Sequence, residues 1–200
     1  VNAVASRFPL LTCGLLAIAA GVSALPGARE LAVGERSALV QGELWRLWTA
    51  QAVHFSGGHL LWSGAVWLAA AGWVERVARR ALVGLVLVGS PLVTLAALGV
   101  DGAMARYGGL SGIACAPLGW LVCQLWRAEP RGSRRVWAAV LLALLLAKIG
   151  LEAGTGRAFV VEFDPRVGEV RSAVWAHVAG ALVGLIAGAW RGREVAARPT

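Results

Sequence analysis

Residues 81–99 read ALVGLVLVGSPLVTLAALG, nineteen positions without a charged side chain. A helix crossing the hydrocarbon of a bilayer needs about 20 mostly apolar residues, and this stretch supplies them. Five more apolar runs stand at roughly 8–26, 58–74, 109–126, 135–151 and 172–190. The run at 135–151 is the least clean, because it contains Lys148. The 200 residues are 58% hydrophobic and 15% charged, with a mean hydropathy of +0.68. A soluble chain carries about a quarter charged residues. The reading is an all-α membrane protein, a single domain of six transmembrane helices with a short cytoplasmic tail at 192–200. The run at 8–26 lacks the strongly basic start of a signal peptide and is followed by five more spans, so it reads as a retained anchor.

The loops set the orientation. With the N-terminus inside, the inner segments hold eleven arginines: Arg7, Arg76, Arg79, Arg80, Arg127, Arg131, Arg134, Arg135, Arg191, Arg193 and Arg198. The outer loops hold seven, and most of the acids. Basic residues favour the cytoplasmic side, so both termini are expected inside. The net charge of +8 thus belongs to membrane loops, and no nucleic acid is expected as a partner. Cys13, Cys115 and Cys123 lie within apolar runs and make neither a disulfide framework nor a zinc spacing; no metal or cofactor is expected.

Two outer loops are long. The first, about 27–57, contains Leu44, Trp45, Leu47 and Trp48, the apolar side of a segment expected to lie on the outer leaflet in contact with lipid. The second, about 152–171, is polar, with Asp164-Pro165 as a turn signal.

Polar side chains inside spans usually face a bundle interior, so their depths are informative. Ser111 lies four residues after Tyr107, about 6 Å along an inward-running helix, and His177 six residues after Arg171, about 9 Å. His59 begins another inward-running span. One serine and two histidines therefore share the outer third of the membrane. Gly180, Gly184 and Gly188 follow His177 as a small-residue stripe, and Gly108, Gly109, Gly112, Ala116 and Gly119 offer small partners around Ser111. Such packing would bring Ser111 to His177. A serine hydroxyl is a weak nucleophile until a neutral imidazole takes its proton, and an oxyanion would need donors such as the Ser111 N–H and His59. No acid has an obvious place behind His177, so a dyad is expected. Taken singly, each residue also suits plain helix packing; the combination points to chemistry.

Four segments together resemble the rhomboid intramembrane serine proteases: WR at 45–46, HFSGGHLLWS at 54–63, GGLSG at 108–112 and AHVAGALVG at 176–184. The resemblance spans about 43–190 and implies a six-helix rhomboid-like bundle with both ends inside and a long, membrane-associated first outer loop. It implies Ser111 as nucleophile, His177 as general base, and His59 with the Ser111 N–H as oxyanion donors. Gly109, Gly112, Cys115, Gly180 and Gly184 would shape the site. Ser63 stands where many members have an oxyanion-assisting asparagine, and its side chain is shorter. Cys115 stands where bacterial relatives often carry a tyrosine stacked on the histidine. The stretch LLLAKIGLEAGTG at 144–156 resembles the rhombosortase branch. That branch implies a bacterial inner-membrane enzyme working near the outer face. Its substrate would be an exported protein with a C-terminal tail of Gly-Gly, apolar helix and basic end. Lys148 and Glu152, at i and i+4, would neutralise one another. A rhomboid without tail preference, a silent helix-binding relative and a small transporter are the competing readings.

Overall fold

The computed structural model describes residues 8–100, 102, 104–128, 132–157 and 172–196, with side chains given only as far as Trp190 in the last segment. Asp101, Glu129, Arg131, Arg7, Arg198 and the Asp164-Pro165 turn signal lie outside the described residues. Among the described residues the fold is helical, apart from one pair of two-residue strands.

The apolar run at 81–99 does not stand alone. It is the second half of helix α5, Gly57–Val100, 44 residues long. A straight helix of that length would measure about 66 Å, twice the thickness of a bilayer's hydrocarbon. It is broken at Ala78, where φ is −153° and ψ is 56°. Glu75, Arg76, Arg79 and Arg80 surround the break, so the charges sit where two apolar arms meet. Glu75 turns inward there and accepts from the Leu11 and Thr12 N–H groups at 2.9 and 2.8 Å and from Thr12 Oγ1 at 2.8 Å. It thereby caps helix α1, Leu10–Ala24, which has no side-chain cap of its own.

Helices α5 and Ser133–Thr155 (α7) are each long and apolar enough to cross a membrane. Helix α1 and the following Pro26–Ala32 (α2) meet at a bend of 114° and make a third candidate if they are one broken span. The remaining long helices are Leu110–Ala128 (α6) and Val174–Ala196 (α8). The last of these keeps helical backbone through 192–196, where the sequence suggested a tail.

The segment 27–57, expected as the first outer loop, is folded into short elements. It contains α2, strand β1 (Gly34–Glu35), helices α3 (Arg36–Val40) and α4 (Arg46–Thr49), and a 3-10 turn at Ala50–Ala52. β1 pairs antiparallel with β2, Arg106–Tyr107, matching Gly34 with Tyr107, and so ties the loop to the chain just before α6. Arg46 is buried and donates to Glu30 O at 2.7 Å and Val33 O at 2.8 Å while pairing with Glu43. Arg36 donates to the carbonyls of Leu98, Gly102 and Met104 around the end of α5. Leu44, Trp45 and Trp48 remain exposed, and the two indole N–H groups donate to Leu31 O and Leu87 O.

Helix α6 is the centre of the bundle, with Leu110, Gly112–Pro117 and Gly119–Trp120 buried. It meets α8 through missing side chains. A Cβ on Gly180 would collide with Gly112 O, one on Gly184 with Ala116 O, and one on Gly188 would stand 2.8 Å from Cys123 Cβ. Helix α7 touches this core differently. Its buried residues are Ala138, Leu145 and Glu152, a narrow seam at seven-residue spacing that ends on a carboxylate. Leu145 packs with Cys115 of α6 and Ala181 of α8.

Candidate active site

Ser111 is the second residue of α6, where helix N–H groups have no partner within the helix. The chain reaches it through a tight entry. Gly108 packs on Val53, Gly109 N–H donates to Ala50 O at 3.0 Å, and Leu110 N–H donates to His54 Nε2 at 3.2 Å. Gly109 has φ of +134°, a region closed to ordinary side chains, and a Cβ there would stand 2.7 Å from His59 Cε1 and Nε2. The same point lies 3.7 Å from Ser111 Oγ, so the His59 ring and the serine hydroxyl flank one glycine.

His177 comes from the first turn of α8 and is 4% exposed. Its Nε2 lies 3.0 Å from Ser111 Oγ. The glycine stripe makes this possible: Gly180, three residues on, lets α8 backbone rest on α6 at Gly112. Gly112 in turn leaves room for Tyr107 Oη, Val93 and Ala176.

The expectation that no acid stands behind His177 is corrected by the structure. Glu152 Oε2 lies 2.8 Å from His177 Nδ1, and Glu152 is 2% exposed. Lys148 Nζ lies 2.9 and 2.8 Å from the two Glu152 oxygens, and 3.2 Å from His177 Nδ1. The i, i+4 pair exists as read, but on α7 continued to Thr155, and it is turned into the site. Serine, imidazole and carboxylate stand in line, the order found in nucleophilic acyl-transfer sites.

Ser63 Oγ is already hydrogen-bonded within its own helix. Its proton goes to His59 O at 2.6 Å, and the oxygen stands 2.9 Å from His54 Nε2, the atom that accepts the Leu110 N–H. Cys115 is buried one turn beyond Ser111, and its thiol meets Ser111 O at 3.3 Å. It lies beside Gly180 and helps close the contact between α6 and α8.

A family model described as the Rhomboid domain matches residues 41–194. The chain belongs to the rhomboid family. Rhomboids are intramembrane serine proteases that act on membrane-protein substrates. A search of curated proteins finds no match to this rhomboid. As a rhomboid it is an integral membrane protein, and its apolar helices agree.

The place of two residues beside Ser111 and His177 was not read from the sequence, although Glu152 was singled out there as the partner of Lys148. Tyr107 donates near Gly109 O at 3.2 Å and Gln51 Oε1 at 3.3 Å, and burial raises its phenol's pKa well above the ordinary value. It is the only tyrosine, directly before the Gly-Gly pair, which is the one signal it offered. Glu152 carried a clearer one. A carboxylate in register with Ala138 and Leu145 lies on the buried face of its helix, whereas pairing with Lys148 alone would leave it anywhere.

Proposed function

We propose that this rhomboid is a serine endopeptidase in which Ser111 is the nucleophile and His177 the general base. The observation that carries the reading is the 3.0 Å separation of His177 Nε2 and Ser111 Oγ, both at the starts of helices, beside a glycine that admits a second imidazole. As Ser111 Oγ forms its bond to the scissile carbonyl carbon, its proton passes to His177 Nε2 and the carbonyl π pair moves onto oxygen. The Ser111 N–H and His59 supply the oxyanion donors. His177 then gives its proton to the leaving amine as the C–N bond breaks. Water attacks the acyl-enzyme with His177 again as base, and Ser111 is regenerated.

This reading takes α1, the two arms of α5, α6, α7 and α8 as six spans with both ends inside. Ser111, His177 and His59 then lie in the outer third of a bacterial inner membrane. The substrate is a membrane-anchored protein whose tail combines Gly-Gly, an apolar helix and a basic end, the rhombosortase type. The stretch 144–156 supports this branch. Each glycine weakens a helix by about 1 kcal/mol relative to alanine, so a Gly-Gly segment is readily extended for attack.

Cleavage of a co-expressed reporter carrying such a tail tests the reading. Wild type is expected to cut it, and Ser111→Ala and His177→Ala to slow cutting by at least about 10³-fold. Cutting of an ordinary rhomboid substrate but not of this tail would remove the branch and keep the protease. Undiminished cutting by Ser111→Ala would end the mechanism.

A further inference from the structure

Two groups on α7 reach the His177 ring. Glu152 Oε2 stands 2.8 Å from Nδ1, whereas Lys148 Nζ lies between the two ring nitrogens, 3.2 Å from Nδ1 and 3.4 Å from Nε2. At Nδ1 they demand opposite tautomers. A carboxylate only accepts, so it requires a proton on Nδ1; an ammonium only donates, so a bond to Nδ1 would require the lone pair there. With the lone pair on Nδ1, the neutral ring carries its proton on Nε2, facing Ser111, and cannot act as a base. With the proton on Nδ1, Nε2 keeps the lone pair that a base needs.

The geometry favours the second arrangement. The carboxylate is the closer partner, and two of the three Lys148 protons have better acceptors in the Glu152 oxygens at 2.9 and 2.8 Å, while the ammonium divides its ring contact between both nitrogens rather than aiming at Nδ1. We propose that Glu152 is the positioning residue of His177, fixing the Nδ1–H tautomer. Lys148 balances its charge, so that a carboxylate can stand 2% exposed inside the bundle. When His177 takes the Ser111 proton, the same carboxylate faces the new imidazolium. This rests on the protease reading above and extends it from two residues to four.

Two measurements test it in the full chain in lipid nanodiscs. The first is the ¹⁵N NMR of the His177 ring in wild type, which needs no substrate. The neutral ring is expected as Nδ1–H, and Glu152→Gln is expected to move it toward Nε2–H, because Lys148 takes the amide oxygen and the NH₂ group faces Nδ1. The second is cleavage of a rhomboid substrate. Glu152→Gln is expected to lower kcat by about 10³–10⁴-fold with KM within about twofold, the pattern of a wrongly oriented base. Glu152→Asp is expected to recover at least about tenfold over the glutamine variant, since it restores the carboxylate.

The double variant Lys148→Met/Glu152→Gln leaves no unpaired charge and is expected to be as slow as Glu152→Gln alone. If the double variant returns to the wild-type rate, the loss came from a stranded cation and the proposal falls. An Nε2–H ring in wild type, or a glutamine variant within about threefold of wild type, overturns it equally. If Ser111→Ala cuts at the wild-type rate, the protease reading fails instead, and the tautomer alone then decides the placing of Glu152.

Discussion

His54 serves three partners with two ring nitrogens. Its Nε2 receives the Leu110 N–H at 3.2 Å and faces Ser63 Oγ at 2.9 Å, while Nδ1 faces Ser23 Oγ at 3.4 Å. A lone pair at Nε2 holds the residue before Ser111, so His54 must stay neutral for α6 to begin where it does. Burial lowers its pKa to about 4 from an ordinary 6.5. Below pH 6.5 the unfolded chain binds a proton that the folded protein refuses. This contribution is therefore complete above that pH and is lost as pH falls from 6.5 to 4, about 3 kcal/mol in all. Thermal unfolding in detergent is expected to show a midpoint falling over this window, with a smaller fall in His54→Gln. Equal slopes for the two proteins would remove the role. The sequence showed His54 only as a loop-end histidine, because its partners lie 9, 31 and 56 residues away.

At the scale of elements, the contact between α6 and α8 is made by backbone. Gly184→Ala would drive a methyl into Ala116 O. It is expected to destabilise the protein by about 1–3 kcal/mol and to slow cleavage, since His177 shares the helix. Gly150→Ala on α7 has nothing within 4 Å of the new methyl and is expected to stabilise by up to about 1 kcal/mol. Thermal midpoints and cleavage rates of the two variants check the contrast; equal effects would deny the close approach. The stripe was legible, because glycines at i, i+4 and i+8 mark one face of a helix regardless of what it meets. The folded first loop was not. Its order comes from Arg36 and Arg46 reaching carbonyls distant in sequence, and two-residue strands have no periodicity to read.

For the whole molecule, charge placement and the Ala78 break agree. The break coincides with the cluster Glu75–Arg80, which the sequence assigned to an inner loop. With both termini inside, alkaline phosphatase fused within 27–57 or 152–171 is expected to be active, and fused within 127–134 or after 191 to be inactive. The reverse pattern would invert the site's depth as well. Composition and hydropathy made the membrane class plain, since they sum over every residue. The arrangement of Ser111, His177 and Glu152 depends on which helix faces touch, and one-dimensional spacing constrains those faces only where small residues or seven-residue seams mark them.

That seam has a mechanical consequence. Ser111 and His177 ride on two helices locked by backbone contact, whereas Glu152 rides on a third held by three buried positions. A slip of α7 by one residue is a screw motion of about 1.5 Å and 100°, which would swing the carboxylate off the ring while nucleophile and base stay together. The protein would be whole and idle. A slipped α7 would be a disengaged clutch, with the nucleophile and the base still in mesh.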